Sequence, residues 1–153
     1  MASATTRAAY HHDDLRRLID PEIVAVVGAS ETSGSFGERT LSNMADFSGK
    51  VYAINPKYQS LLGRPCVPTL SDLPESPDCV VLCVARPMVE GMIESAAAVR
   101  AGGVIVYASG FAETSKPDRV EAQQRLLQLA NGPACVSSGR IVLGSPIRVP
   151  ARG

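Results

Sequence analysis

Four short apolar runs, each handing over to a helical or irregular segment, constrain this chain more than any other feature. IVAVVG at 23–28, KVYAIN at 50–55, CVVLCVA at 79–85 and VIVYAS at 104–109 have the length and β-branched content of strands. They are nearly continuous in apolar character rather than alternating, so both of their faces are to be buried. Between them the period changes. Leu41, Met44 and Ala45 fall at i, i+3 and i+4, and Val89, Met92, Ile93, Ala96 and Ala97 form a longer stripe behind Pro87, which suits a first helical turn. Strand followed by amphipathic helix, repeated along the chain, predicts a doubly wound α/β fold: a mostly parallel, Rossmann-like sheet with helices on both faces.

The rest of the chain fills in around that repeat. DDLRRLI predicts an opening helix, with Asp13 or Asp14 as its N-cap and Pro21 as its stop. The helix after the first strand is expected to run from Ser35 to about Ser48 and Gly49. Residues 55–77, NPKYQSLLGRPCVPTLSDLPESP, hold five of the eleven prolines and read as a connection with at most a turn or two of helix. Pro117 introduces a further amphipathic helix with Ala122, Leu126, Leu129 and Ala130 on one face, and IVLG near residue 141 reads as a fifth strand. At 153 residues the chain has the size of one domain. Its expected extent is 15–143, between a flexible N-terminal tail, 1–14, and a C-terminal tail, 144–153, of undefined role.

Several function classes fall away. Fifteen Lys and Arg balance fifteen Asp and Glu, and no basic stripe interleaved with aromatics marks a nucleic-acid surface. The longest apolar stretch, Cys79 to Ala85, is far short of the ~20 residues that span a bilayer, so no membrane is expected. MASATTRAAYHHDD carries no apolar segment between a basic start and a cleavage site, which argues for a cytoplasmic protein. Cys79 and Cys83, on one face of a strand, would stand ~13 Å apart, too far for a disulfide. No CxxC occurs, and the two histidines, His11 and His12, are adjacent in the tail, so no metal site is expected. Neither a Ser-His-Asp nor a Cys-His nor a paired-carboxylate arrangement can be assembled, and Glu113 and Asp118 read as helix-start acids. No catalytic residue is expected.

In a doubly wound sheet, ligands sit where strand C-termini meet helix N-termini. Three places qualify: the loop GASETSGSFG after the first strand, Val84, Ala85 and Arg86 after the third, and Tyr107, Ala108 and Ser109 after the fourth. The loop carries Gly28, Gly34 and Gly37 with hydroxyls at Ser30, Thr32, Ser33 and Ser35. Its spacing is neither the G-x-G-x-x-G fingerprint nor a P-loop. Its physics is nonetheless that of an anion site, with backbone amides and the positive end of a helix dipole turned to one point. After the second strand, where NAD enzymes place an acid for the ribose diol, stand Asn55, Pro56 and Lys57. A lysine there favours a phosphate near the ribose. NADP and coenzyme A both meet that description.

The sequence resembles one family over about residues 15–129. VVGASETSGSFG, then INPKY, LGRPCVPTLSDLP and SGFAE, in that order, are similar to the CoA-binding domain that opens NDP-forming acyl-CoA synthetases, a domain related to the succinyl-CoA synthetase α-subunit. The resemblance implies that Ser33, Gly34, Ser35 and Phe36 meet the CoA phosphates and that Lys57 meets the adenosine end. It also implies that Val84 to Arg86 and Tyr107 to Ser109 line the groove toward the thiol. In that family a nucleotide and a phosphohistidine make an acyl phosphate that the CoA thiol then attacks, on domains outside this stretch. Two departures stand out: Val84-Ala85 where the family has Val-Pro, and RIVLGSPIRVPARG where the family continues into a Gly-Pro-Asn segment, Gly144-Ser145-Pro146 being either a diverged copy of it or an unrelated tail. The resemblance therefore implies a module that holds CoA or acyl-CoA for the remaining domains or subunit of an acid–thiol ligase, with a homo-oligomer left open. Two other readings stay available. One is an NAD(P)-binding regulatory or oxidoreductase domain, and the other an interaction domain that binds no nucleotide.

Overall fold

The computed structural model describes residues 12–107, residues 121, 124–126 and 128 of a further helix, and residues 140–143. In chain order these are α1 (His12–Ile19), β1 (Ile23–Val27), α2 (Phe36–Asn43), β2 (Lys50–Ile54), β3 (Ser60–Leu61) and β4 (Arg64–Val67). A 3₁₀ turn (Leu70–Asp72), β5 (Cys79–Leu82), α3 (Arg86–Ala98), β6 (Gly103–Val106) and β7 (Arg140–Leu143) follow. The strands form one sheet in the order β3-β4-β2-β1-β5-β6-β7. Every neighbouring pair is parallel except β3 with β4. This is the doubly wound α/β architecture expected, and the fifth expected strand is β7.

Each central strand feeds two cores. Ala25 and Val27 of β1, Val80 and Leu82 of β5, and Val104 and Val106 of β6 face one side. There they pack with Val89, Ile93 and Ala96 of α3 and with Leu126. Val24 and Val26, Val51 and Ala53, and Cys79 and Val81 face the other side, packing with Leu41 of α2 and Leu18 of α1. Burial on both faces explains why these strands read as apolar runs instead of alternating ones. Cys79 and Cys83 share a face as expected, and Cys66, Cys79 and Cys83 are free thiols.

Four expectations need correction. First, α1 begins at His12, so Asp13 and Asp14 stand inside its first turn and do not cap it. Second, α2 ends at Asn43, where the Met44 amide donates to the Leu41 carbonyl at 3.2 Å and the Ala45 amide to the Ser42 carbonyl at 3.1 Å; Ala45 is exposed beyond the helix. Third, the proline-rich connection holds a hairpin. Its β4 strand extends the sheet beside β2, pairing Ala53 with Cys66 and Ile54 with Val67. Two-residue and four-residue strands bearing a proline are too short for the period-2 signal to register. Fourth, the strands at 79 and 104 stop at Leu82 and Val106, short of Ala85 and Ser109, which leaves Cys83 to Ala85 and Tyr107 as connecting chain. The stripe of α3 is as expected, with Val89, Ile93 and Ala96 buried. Of the face expected behind Pro117, Leu126 is buried in the core, while Ala122, Leu129 and Ala130 lie outside the described residues.

The chain runs from β1 outward through β2 to β4, then returns to β5 on the other side of β1. The strand order thus switches between β1 and β5, and the crevice at their C-terminal ends is the position where such folds take ligands.

Candidate functional site at the C-terminal end of the sheet

Two glycines at this switch are required by packing. Gly28 has φ +77°, and a Cβ on it would lie 2.3 Å from the Cys83 carbonyl oxygen. A Cβ on Gly37 would lie 2.3 Å from the Gly28 carbonyl oxygen. Together they bring the start of α2 directly against the ends of β1 and β5. The third loop glycine is different. Gly34 also has a left-handed φ, +79°, yet among the described residues there is space around it: within 4 Å a Cβ would meet Arg39 Nη2 alone, at 3.8 Å. This is a backbone made approachable, with a guanidinium beside it.

The loop hydroxyls divide by role. Ser30 Oγ accepts from the Thr32 amide at 3.0 Å and donates to Thr32 Oγ1 at 2.9 Å, which folds the loop onto itself. Ser35 is the N-cap of α2, its Oγ accepting from the Glu38 amide at 3.2 Å. Ser33 is exposed and makes no hydrogen bond among the described residues. Phe36 and Gly37 are the first two residues of α2, whose amides have no acceptor within the helix. Amides, a free hydroxyl and the positive end of the helix are what an anion needs.

Asn55 serves the loop rather than facing outward. Its Nδ2 donates to the Ala29 carbonyl at 2.7 Å, and its Oδ1 accepts from the Lys57 amide at 2.9 Å. One side chain thereby fixes the loop after β2 to the loop after β1. Lys57 is exposed, and its ammonium forms no ion pair among the described residues.

Phe36, half exposed at 50%, stacks on Tyr107 with centroids 6.4 Å apart and planes 11° from parallel. These residues follow β1 and β6, which β5 separates, so the pair bridges over the end of β5. Below it the Cys83 thiol contacts Thr40 Oγ1 at 3.6 Å, and burial raises its pKa, an effect the Thr40 contact partly offsets. Val84 is half-buried, Ala85 caps α3 and is exposed, and Arg86 opens that helix, half-buried. Ala108 and Ser109 lie outside the described residues.

The structure thus gathers Gly28, Ser30, Ser33, Gly34, Ser35, Phe36, Gly37, Asn55, Lys57, Val84, Ala85, Arg86 and Tyr107 at one end of the sheet. Sequence reasoning missed Glu38 and Arg39. Glu38 Oε2 accepts from the Gly34 amide at 3.2 Å, and its Oε1 accepts from Ser42 Oγ at 2.8 Å. The signal was present, because Ser35-x-x-Glu38 has the capping-box spacing. Among the described residues no group of three or more His, Cys, Asp and Glu could hold a metal, and no helix is long and apolar enough to cross a membrane.

A mostly parallel sheet with first-turn helix amides, a half-exposed aromatic pair and, among the described residues, Lys57 and Arg39 without ion pairs at its switch point suits a phosphorylated, ring-bearing ligand. Residues 22–137 match the CoA binding domain family, and the chain belongs to it. Coenzyme A is the cofactor of this family. The chain is 36% identical over 128 residues to an ADP-forming acetate–CoA ligase I of Archaeoglobus fulgidus, covering 80% of this chain and 19% of that enzyme. It is 33% identical over 147 residues to a trans-feruloyl-CoA synthase of an unknown prokaryotic organism, covering 90% of this chain and 21% of that enzyme. The chain therefore spans about a fifth of the length of these curated relatives. Among solved structures, the dinucleotide-forming acetyl-coenzyme A synthetase 1 of Candidatus Korarchaeum cryptofilum superposes with a TM-score of 0.75 at 33% identity, over 85% of this chain and 27% of that one. A hypothetical protein from Pyrococcus horikoshii, 22% identical with a TM-score of 0.62, shares the fold over 95% of this chain and 92% of its own.

Proposed function

We propose that this domain holds CoA across the β1/β5 switch and presents its thiol for thioester formation by catalytic domains of an acyl-CoA synthetase. In this reading the CoA phosphates lie on Ser33, Gly34 and the first-turn amides of α2, with Arg39 beside them. Lys57 takes the 3′-phosphate at the adenosine end. The Phe36–Tyr107 pair and the segment from Val84 to Arg86 line the way toward the thiol. Asn55 acts through the backbone, by holding the two loops together.

The observation that carries the reading is Gly34. Packing explains Gly28 and Gly37, whereas Gly34 combines a left-handed backbone with a neighbouring cation and, among the described residues, open space. The activities named for the chain's relatives, acetate–CoA ligation and trans-feruloyl-CoA synthesis, support thioester formation as the reaction class in which the domain serves. With Cys66, Cys79 and Cys83 free among the described residues, we place it in the cytoplasm, where such thiols stay reduced.

Calorimetric titration with CoA, dephospho-CoA and NADP tests the reading. Saturable CoA binding is expected, weaker for dephospho-CoA in the wild type and equal for the two ligands in Lys57→Ala. CoA silence from a chain that still melts cooperatively, or preference for NADP, would overturn it.

A further inference from the structure

Glu38 is a carboxylate turned onto the loop that the reading above assigns to phosphate. It approaches from the first turn of α2 and takes the Gly34 amide at 3.2 Å, while Ser42 Oγ donates to its other oxygen at 2.8 Å. Its own amide is capped by Ser35 Oγ, which fixes the backbone here, while Ser42 one turn further along α2 and the Gly34 amide each hold one oxygen of the side chain. A carboxylate and a phosphate oxygen accept from a backbone N–H in the same way and repel each other at close range. The Gly34 amide can serve one of them at a time.

We propose that Glu38 is an internal competitor for CoA: an acid built into α2 that contests the Gly34 amide with a ligand phosphate and so lowers the domain's affinity. The proposal rests on the placement of the CoA phosphates at this loop. Two opposing consequences follow for one side chain. As an acid in the first turn, accepting from Gly34, Glu38 stabilises α2 and the loop. As an anion at a polyanion's seat, it weakens ligand binding. The same charge that steadies the fold therefore holds CoA affinity down, which makes release of CoA or its thioester easier.

The test is titration of the wild type, Glu38→Gln and Ser33→Glu with CoA, each paired with a thermal melt. Glu38→Gln is expected to bind CoA about threefold to fivefold more tightly, the scale of one partly solvated charge interaction. It should melt at a lower temperature. Tighter binding with lower stability is a combination that a purely structural role for Glu38 does not produce. Equal or weaker CoA binding by Glu38→Gln would overturn the proposal. Ser33→Glu adds a negative charge to the same loop without touching Glu38, so it tests the underlying placement separately. Weakened binding by Ser33→Glu together with unimproved binding by Glu38→Gln sinks the competitor alone, whereas unchanged binding by Ser33→Glu sinks both.

Discussion

The two ends of this sheet differ in how their key polar side chains are partnered. At the N-terminal end a latch joins Arg17 to Asp78 and Asp78 to two backbone amides. Asp78 accepts from Arg17 Nε at 2.7 Å and from the amides of Glu22 and Ile23 at 3.0 and 3.1 Å. Arg17 also donates to the Arg100 and Pro77 carbonyls, both at 3.3 Å. Burial by itself would raise the Asp78 pKa, yet the Arg17 guanidinium and the two amides outweigh it and hold the carboxyl below its ordinary value of 3.8. Gly102 fits against that latch, since a Cβ there would lie 2.6 Å from the Asp78 carbonyl oxygen and 2.7 Å from Arg17 Cβ. At the C-terminal end, among the described residues, Gly34 faces open space, Lys57 has no ion pair, and Phe36 is half exposed. Paired polar groups stabilise; groups left with spare hydrogen-bonding capacity at a switch point are available to a ligand. The contrast separates the residues that hold the fold from those proposed to hold CoA.

The sharpest way to break this division is within the binding loop itself, at the glycines assigned to packing. Gly37→Ala places a Cβ where the Gly28 carbonyl oxygen lies 2.3 Å away, and neither backbone can yield cheaply. A loss of about 3 kcal/mol or more in denaturant unfolding is expected. An unchanged midpoint would mean that the close approach of α2 to β1 is dispensable.

Next in size is Asp78→Asn, which leaves Arg17 with a neutral partner and should cost about 2 kcal/mol in the same assay. CoA affinity should be unaffected. The pH dependence has a definite sign. Because the folded carboxyl titrates below 3.8, its stabilisation is fully present above that pH and drains away as the pH falls through the folded value. The wild type should therefore lose stability in that acid range more steeply than Asp78→Asn, as read by thermal melts down the pH scale.

Smaller effects are expected at the open end. Phe36→Ala removes the stack on Tyr107 and should cost about 1 kcal/mol of stability. Because the ring is proposed to line the groove, CoA affinity should fall with it. Lys57→Ala and Arg39→Ala should leave the melting temperature nearly unchanged, each lowering CoA affinity by about 1 kcal/mol, or fivefold, with the effect shrinking in salt.

The split between the two ends also explains what could be read from the chain beforehand. Buried runs such as IVAVV and CVVL announce themselves because burial on both faces leaves no polar position to interrupt them. The glycine loop was equally legible as a strand-to-helix turn. The division of labour inside it was not, since Gly28, Gly34 and Gly37 look alike in sequence and differ only in what stands opposite a missing Cβ. Arg17 and Asp78, sixty-one positions apart, form the latch without any local pattern. Asn55 was picked out for the right neighbourhood, but its bonds to Ala29 and Lys57 show only in three dimensions. The β3–β4 hairpin was hidden by prolines and brevity, Pro65 lying within β4 itself.

The central claim is that ligand affinity resides at the C-terminal end and stability at the other. CoA titration of Ser33→Glu and Asp78→Asn side by side, at a temperature where both are folded, tests it most directly. The account predicts a marked loss of CoA affinity in Ser33→Glu and wild-type affinity in Asp78→Asn. Undiminished binding by Ser33→Glu, or loss of binding by folded Asp78→Asn, would contradict it.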